Sequence, residues 1–229
     1  MAISFRNDMF GNDAQIVFQD VTKAVEHLES KKPAYEIIPD NELIRPYGDL
    51  DGKAPEDMSE EEFNKIDFEL YINISNYFEA NGKEITLYSG SNYKYKKWSL
   101  RWTIPNCSVK SKKHAKAFAK HLYSMLIFPS YIKPDLNVYS ANQKMRTLNT
   151  SKPNENRPFV ILQGNPIDTI ISYTDTTELL DFDIEEDPSN VEYKIIEKVE
   201  EKYVTELCNL VSVKYWTDYE RDRKSTRLN

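Results

Sequence analysis

Cysteine and histidine are scarce in this chain, and each shortage excludes a class of site. Cys107 and Cys208 are the only cysteines among 229 residues and lie far apart. They therefore form neither a disulfide framework nor a cysteine-based zinc motif, and we expect both to be small core residues. The three histidines are His27, His114 and His121. We expect them at the surface or its boundary rather than in a catalytic role.

Long apolar runs, a leader pattern and internal repeats are also missing. No stretch approaches the roughly 20 apolar residues that cross a bilayer, and residues 1–6 lack the basic-then-apolar order of a signal peptide. We therefore expect an intracellular protein with no membrane partner. The chain is 40% hydrophobic and 12% aromatic, which is enough for one buried core, with or without a helical appendage.

The net charge of −7 is unevenly distributed along the chain. Residues 175–201 contain eleven acidic residues and two lysines, a local charge of −9. Residues 93–120 contain nine Lys or Arg residues and no acidic residue, with aromatic residues between them. Such a stretch suits a phosphate backbone and stacked bases, although solvated strand and helix faces have the same composition. The nucleic-acid-binding candidates are Lys94, Lys96, Trp102, Lys112, Lys113 and Lys116.

The hydrophobic pattern up to residue 174 predicts an α+β domain in which helices and strands alternate. Helices are predicted at 14–29, from a capping box at 59–62 to Gly82, and at 111–127. In the last helix, the inward residues should be Phe118, Leu122, Met125 and Leu126, and the outward ones Lys112, Lys113, Lys116 and Lys120. Strands are predicted at 34–38, 43–50, 142–149 and 158–163, and as a hairpin at 84–89 and 98–104.

The remaining chain divides into three predicted parts. Residues 175–190 are acidic and contain Pro188, which is typical of a linker or surface loop. A second capping box opens a C-terminal helix at 191–213. Residues 214–229 form a charged tail without a core pattern, which could be the start of a linker to a further domain.

Two carboxylates near residue 50 are spaced for a shared cation. Asp49 and Asp51 flank Leu50 on a predicted strand, so both should point to one side while Leu50 points into the core. Carboxylate oxygens in this position can bind a divalent cation, whereas an ordinary turn is the alternative for such a sequence before glycine. Asp135, which follows Pro134, is a third candidate or a loop cap.

Cations and hydroxyl groups follow these carboxylates. Lys97, Ser99 and Arg101 alternate along a predicted strand and should share one face. Arginine gives bidentate phosphate contacts and lysine a point charge, so the row can bind a triphosphate; an exposed cationic face is the alternative. A second group follows Asp135 and consists of Lys144, Arg146, Ser151 and Lys152. A metal site beside a polyanion is a phosphoryl-transfer arrangement.

In this order the residues resemble the three motifs of the archaeo-eukaryotic primase superfamily. The likeness spans residues 43–170 and is nearest to PrimPol-type enzymes and the primase domain of viral primase-helicases. The matching residues are Asp49-x-Asp51, then Ser99-x-Arg101, then Asp135 with Val138-Tyr139, Arg146 and Ser151-Lys152. The third motif is the most specific. The second departs from the family, whose Ser-x-His has Arg101 in place of histidine here.

The resemblance implies a DNA primase or primase-polymerase with an RRM-like antiparallel sheet packed against a second α/β layer. Asp49, Asp51 and Asp135 would hold two Mg²⁺ or Mn²⁺ ions about 3.5–4 Å apart. The nucleotide phosphates would contact Lys97, Ser99, Arg101, Lys144, Arg146, Ser151 and Lys152. The implied partners are single-stranded DNA, nucleoside triphosphates and a helicase domain or subunit at a site of viral or plasmid DNA replication.

Two other functions stay open. The same site could serve a repair or damage-tolerance polymerase. A catalytically silent primase fold that binds single-stranded nucleic acid is the non-enzymatic alternative. The presence of all three aspartates favours an enzyme, because a protein that only binds could lose its metal ligands.

Overall fold

The computed structural model describes residues 2–6, 15–141, 143–176, 178–180 and 195–196. Within them the protein is a mixed α+β fold with three α-helices and two larger antiparallel sheets. The predicted α+β class is confirmed. No helix in the described ranges is long and apolar enough to span a bilayer.

Three α-helices are present in the described residues: α1 (Val21–Glu29), α2 (Glu60–Ala80) and α3 (Lys112–Met125). The predicted capping box of α2 is confirmed. Ser59 Oγ accepts a hydrogen bond from the backbone N–H of Glu62, and the Glu62 carboxylate accepts one from the N–H of Ser59. Beyond the last turn, Gly82 has a φ of 63°, which glycine adopts without steric cost and which ends the helix as predicted.

The larger sheet has five antiparallel strands in the spatial order β10-β5-β6-β4-β8. Its strands are β4 (Tyr47–Lys53), β5 (Thr86–Ser89), β6 (Lys97–Thr103), β8 (Ile132–Pro134) and β10 (Val160–Gln163). The predicted hairpin is confirmed, because β5 pairs with β6.

A second sheet has four strands in the order β2-β1-β3-β9. They are β1 (Ile3–Arg6), β2 (Gln15–Phe18), β3 (Tyr35–Ile37) and β9 (Lys144–Arg146). In addition, the two-residue strands β7 (Phe128–Pro129) and β11 (Ile195–Ile196) pair in parallel.

Helices α2 and α3 cover one face of the five-stranded sheet. Trp98 and Trp102 alternate with polar residues along β6 and point to this face. The Phe63 ring of α2 stacks on Trp98 at 4.6 Å between centroids, and Trp102 Nε1 donates to Tyr123 Oη of α3 at 3.1 Å. Both tryptophans are fully buried, so this face forms the main hydrophobic core.

The second layer covers the opposite face of the same sheet. A smaller core there joins β1, α1 and the sheet, and it contains Phe5, Leu28, Tyr88 and Phe159. The Tyr88 and Phe159 rings meet edge to face at 5.6 Å. Asp49, Ser99 and Arg101, which point away from α2 and α3, are therefore enclosed between two layers.

Two predicted elements begin at the wrong residue. The helix predicted at 14–29 begins at Val21, where Asp20 accepts a hydrogen bond from the Thr22 N–H and caps it. Residues 15–18 instead form β2, because their β-branched and aromatic side chains suit the pairing with β1. The strand predicted at 43–50 begins at Tyr47, since Pro46 cannot donate to a ladder.

The remaining predicted strands are present with altered bounds and partners. Residues 34–38 correspond to β3, 142–149 to the shorter β9, and 158–163 to β10. β9 and β10 belong to different sheets. A single parallel bridge between Leu148 and Phe159 lies where the two segments meet.

The buried face of α3 is rotated from the predicted one. Met125, predicted inside, is 59% exposed, while Lys112, predicted outside, is 3% exposed. Lys112 Nζ lies 2.8 Å from Asp40 Oδ1, so the buried charge is paired. The other buried residues of α3 are Ala115, Ala119, Leu122 and Tyr123, and the Trp102 ring meets those of Phe118 and Tyr123 edge to face.

Most of the C-terminal predictions lie outside the described residues. This applies to the linker beyond residue 180, the tail 214–229 and all of the helix 191–213 except residues 195–196, which form β11 rather than a helix. The start of the acidic segment packs on the domain, because Leu180 donates its N–H to Ser108 O at 2.9 Å. Cys107 is buried as predicted, and Cys208 lies outside the description.

Candidate metal and phosphate site

Asp49 and Asp51 lie on the face of β4 that is enclosed between the layers. Strand alternation places Leu50 on the other face, where it is fully buried in the main core. β4 pairs with β6 on one side and β8 on the other. A central strand is held by hydrogen bonds on both edges, so the two carboxylates are presented by a rigid element.

Asp135 joins these two carboxylates because β8 pairs with β4. Its N–H donates to Asp49 O at 2.9 Å, and its Oδ1 accepts from the Asn137 N–H at 2.9 Å, which begins a short 3₁₀ turn. One carboxylate oxygen from each of Asp49, Asp51 and Asp135 lies within 4.8 Å of the others. The three residues, called the acidic triad below, could hold a metal ion.

Arg101 is buried directly opposite Asp49 on β6. Its Nε and Nη2 both donate to Asp49 Oδ2, at 3.1 and 3.0 Å, and its Nη1 donates to Arg146 O at 2.7 Å. The guanidinium lies 4.1 Å from the centre of the Phe159 ring. Every nitrogen of Arg101 is engaged, so the predicted phosphate contact by this residue is replaced by support of Asp49.

Asp49 keeps one oxygen free despite being 3% exposed. Oδ1 is buried without a hydrogen-bond partner among the described residues. Burial raises the pKa of Asp49, Arg101 opposes that rise, and Asp51 and Asp135 add to it by charge repulsion. An unpartnered buried carboxylate oxygen is unfavourable, and a cation bound between the three carboxylates would relieve it. The residues present therefore fit a divalent ion.

Two donors beside the acidic triad are also unpartnered in the described structure. Ser99 Oγ and Arg146 Nη1 are both buried without an acceptor. Burial, together with the charges of Arg101 and Arg157, lowers the pKa of Arg146 to about 10. Arg146 therefore stays cationic near neutral pH, and its side chain stacks on Phe159 at 4.5 Å. These donors suit a bound anion such as a phosphate group.

Arg157 belongs to the same cluster and was not predicted from the sequence. It is 4% exposed, its Nη1 donates to Gly90 O at 3.3 Å, and its N–H donates to Ser151 Oγ at 3.2 Å. Its Nε pairs with Glu155. A lone arginine before the strand at 158–163 gave no sequence signal, because only the folded loop brings it beside Arg146.

The other predicted nucleotide contacts are less central. Lys97 is half-buried at the start of β6, and Lys144 is half-buried on β9. Ser151 is used by Arg157, and Lys152 is exposed on the loop that follows. The structure thus brings together the acidic triad, Ser99, Arg101 and Arg146, and leaves Lys152 at the surface.

Two predicted nucleic-acid contacts are wrong. Trp102 is fully buried and bonded to Tyr123, so it has no exposed ring on which a base could stack. Lys112 is buried and paired with Asp40. Lys113 and Lys116 are exposed, but they lie on α3, which packs on the sheet face opposite the acidic triad.

Lys94 and Lys96 lie in the β5–β6 connection. Lys94 is exposed. Lys96 Nζ donates to Met58 O at 2.7 Å and sits 3.8 Å from the Tyr93 ring centre, so its charge already has local partners. The three histidines are exposed or half-buried, as predicted.

The site therefore combines three carboxylates, a supporting arginine and two unpartnered donors in one enclosed place. The carboxylates suit a hard cation, and the donors suit an anion beside it. Neither the sequence patterns of known protein families nor the sequences of characterised proteins match this chain.

Proposed function

We propose that the protein is a template-dependent nucleotidyltransferase of the primase type, which joins nucleoside triphosphates to make or extend primers. One observation carries the proposal. The free oxygen of Asp49 in the acidic triad is accompanied by the free donors of Ser99 and Arg146. A cation site beside an anion site is what transfer of a nucleotide from its triphosphate requires.

The sheet supports the proposal because the order of its elements is compatible with the RRM-like sheet that the primase resemblance implies. β4, α2, β5, β6, α3 and β8 follow one another in the chain, and the strands lie in the order β5-β6-β4-β8. This is the β-α-β-β-α-β arrangement with both helices on one face. The acidic triad lies on the other face of the sheet, between it and the second layer.

The acidic triad would hold two Mg²⁺ or Mn²⁺ ions, which prefer oxygen ligands. Bound there, the ions would activate a primer 3′-hydroxyl and stabilise the charge on the leaving pyrophosphate. Asp49 contributes one oxygen, since Arg101 holds the other. Asp51 and Asp135 are half-buried and remain accessible to a substrate.

Arg146 and Ser99 would bind the phosphates of the incoming nucleotide. Both are buried, and hydrogen bonds from a cation to phosphate are stronger where water is excluded. In the primase family the corresponding histidine would contact the nucleotide phosphate. Arg101 instead binds Asp49, opposes its protonation and fixes its orientation, so Ser99 and Arg146 would make the phosphate contacts.

Single-stranded DNA and nucleoside triphosphates are thus the proposed substrates, and a helicase the proposed partner. Purified protein with Mg²⁺ or Mn²⁺, single-stranded template and labelled nucleotides should yield product. Asp51→Asn and Asp135→Asn should each reduce the rate at least 100-fold by removing a metal ligand. Asp57→Asn, which changes an exposed residue in the same way, is the matched control and should leave the rate unchanged.

The same assay separates the alternatives. Product from nucleotides and template alone indicates priming, whereas product only from a pre-formed primer favours a repair or damage-tolerance polymerase. If the protein binds single-stranded DNA yet makes no product under either condition, it is a binding module and the proposed activity is wrong.

A further inference from the structure

Three lysines lie on the same sheet face as the acidic triad. Along β4, Lys53 follows Asp49 and Asp51 at two-residue spacing. Its partner across the ladder is Lys97, and the β8 partner of Asp51 is Lys133. Directly paired residues of antiparallel strands point to the same face. We call Lys53, Lys97 and Lys133 the lysine rim.

The lysine rim marks the open side of the site. At the end of the site away from the rim, Asp49 is 3% exposed and Arg101 is 5% exposed. The buried rings of Tyr88 and Phe159 fill the space between the layers there. By contrast, the Lys53 side chain is 67% exposed, and Lys133 is exposed. Exposure thus increases from Asp49 through Asp51 to the rim, and a substrate would enter past the lysines.

The rim lysines have charge to offer an incoming polyanion. Lys53 Nζ lies 3.6 Å from Glu56 Oε1, and both side chains are well exposed. Such surface pairs contribute little and exchange readily. Lys53 and Lys97 lie about 6.8 Å beyond Asp51, two residues along the strands, while Lys133 lies beside Asp51 on the neighbouring strand. The rim is therefore placed to hold phosphates next to those that Arg146 and Ser99 would bind, rather than the same ones.

We propose that the lysine rim binds the phosphate backbone of a single-stranded nucleic acid whose end reaches the acidic triad. The inference rests on the proposed function, in which such a strand is the substrate. The nucleic acid would then bind on this face of the sheet rather than at the lysines of α3, which lie on the opposite face. A polymer is favoured over a mononucleotide because Lys53 and Lys97 lie one row outside Ser99 and Lys133 lies on the far side of Asp51.

Fluorescence anisotropy with a labelled single-stranded oligonucleotide tests the rim without metal or nucleotide. One variant carries Lys53→Gln, Lys97→Gln and Lys133→Gln. A matched control carries Lys113→Gln, Lys116→Gln and Lys120→Gln, the same charge change on α3. Losing three phosphate contacts should weaken binding about 100-fold at about 0.1 M salt and make the negative slope of log K against log salt shallower by about 2. The control should bind as the unmodified protein does.

Three results would overturn the inference: no binding by the unmodified protein, no loss in the rim variant, or an equal loss in both variants. Thermal unfolding of both variants should match the unmodified protein, because the changed side chains are exposed or half-exposed. Rim-dependent binding without any nucleotide incorporation would contradict the proposed activity and leave the rim standing. Nucleotide incorporation by a protein whose binding of single-stranded nucleic acid does not depend on the rim would support the proposed activity and contradict the inference about the rim.

Discussion

The ion pair between Arg101 and Asp49 decides how the site is charged. Both residues are buried, and Asp49 Oδ2 accepts two hydrogen bonds while Oδ1 accepts none from the described part of the chain. Without a cation partner, burial would favour the protonated form of Asp49. Arg101 therefore opposes the rise that burial causes in the pKa of Asp49, and it fixes which oxygen of this candidate metal ligand is free.

Replacing Arg101 should be strongly destabilising. Arg101→Met leaves the Asp49 carboxylate buried and unpaired, which costs about 3–5 kcal/mol of unfolding free energy. Arg101→Lys keeps the charge but loses the paired donors, so its effect should be smaller. Urea denaturation followed by circular dichroism measures both free energies.

A double variant separates the pair from general damage to the core. Asp49→Asn removes the unpaired charge, so it should recover part of the loss when combined with Arg101→Met, and the double-mutant cycle should show coupling. Purely additive free energies would mean that the pair contributes nothing beyond packing.

At the level of elements, β6 explains both the successes and the errors of the sequence interpretation. Alternation correctly predicts that Ser99 and Arg101 share one face, but it does not predict that they pair with Asp51 and Asp49 across the sheet. It could not tell that the polar face is covered too, because a period of two shows which residues share a face but not what packs on it. The pattern therefore suggests a surface aromatic at Trp102 and a free cation at Arg101, whereas α3 covers Trp102 and the second layer encloses Arg101.

β4 packs closely against the helical layer, and a larger residue at Gly48 tests this packing. A Cβ at Gly48 would lie 2.2 Å from Tyr123 Oη and 2.5 Å from the Trp102 ring. Gly48→Ala should therefore destabilise the protein by about 1–3 kcal/mol. Because Asp49 is the next residue, the displaced strand should also bind Mn²⁺ more weakly, as titration calorimetry would show.

Gly90→Ala is the milder comparison for this variant. There the added carbon would meet the Phe159 ring at 3.3 Å, a contact that a small ring shift can relieve. Tyr123→Phe removes the closest clash but also the acceptor of the Trp102 indole N–H, so Gly48→Ala should cost less stability in the Tyr123→Phe protein than in the unmodified one. Unchanged urea midpoints for Gly48→Ala would contradict the close approach of the two layers at this strand.

Across the whole molecule, two buried charged residues join the layers through residues 166–172. Glu36 of β3 accepts hydrogen bonds from the Ile171 N–H at 3.1 Å and from Ser172 N–H and Oγ at 2.7 Å. Arg45, just before β4, donates to Ile167 O at 2.6 Å and Ile170 O at 3.2 Å. These contacts span more than 120 residues, so local patterns could not predict them, whereas the helices and the β5–β6 hairpin follow from local spacing.

Glu36 should also make stability depend on pH. Burial raises the pKa of Glu36, although the hydrogen bonds from Ser172 and Ile171 oppose the rise. The Glu36 carboxyl therefore holds its proton more tightly in the native protein than in the unfolded chain, where the pKa of a glutamate is about 4.3. Its contribution is fully present below that pH and is lost as the pH rises through the folded pKa.

The expected result is a change of slope between Glu36→Gln and the unmodified protein. Unfolding free energies measured in urea from acid to neutral pH should fall less steeply with rising pH in Glu36→Gln, because glutamine does not titrate. Glu29→Gln, a change of the same kind at an exposed residue, should run parallel to the unmodified protein. The raised pKa of Asp49 is common to all three proteins and cancels in the comparison. If the curves of Glu36→Gln and the unmodified protein ran parallel, Glu36 would not hold its proton more tightly in the folded protein than in the unfolded chain. Protonation of Glu36 would then contribute nothing to the pH dependence of the unfolding free energy.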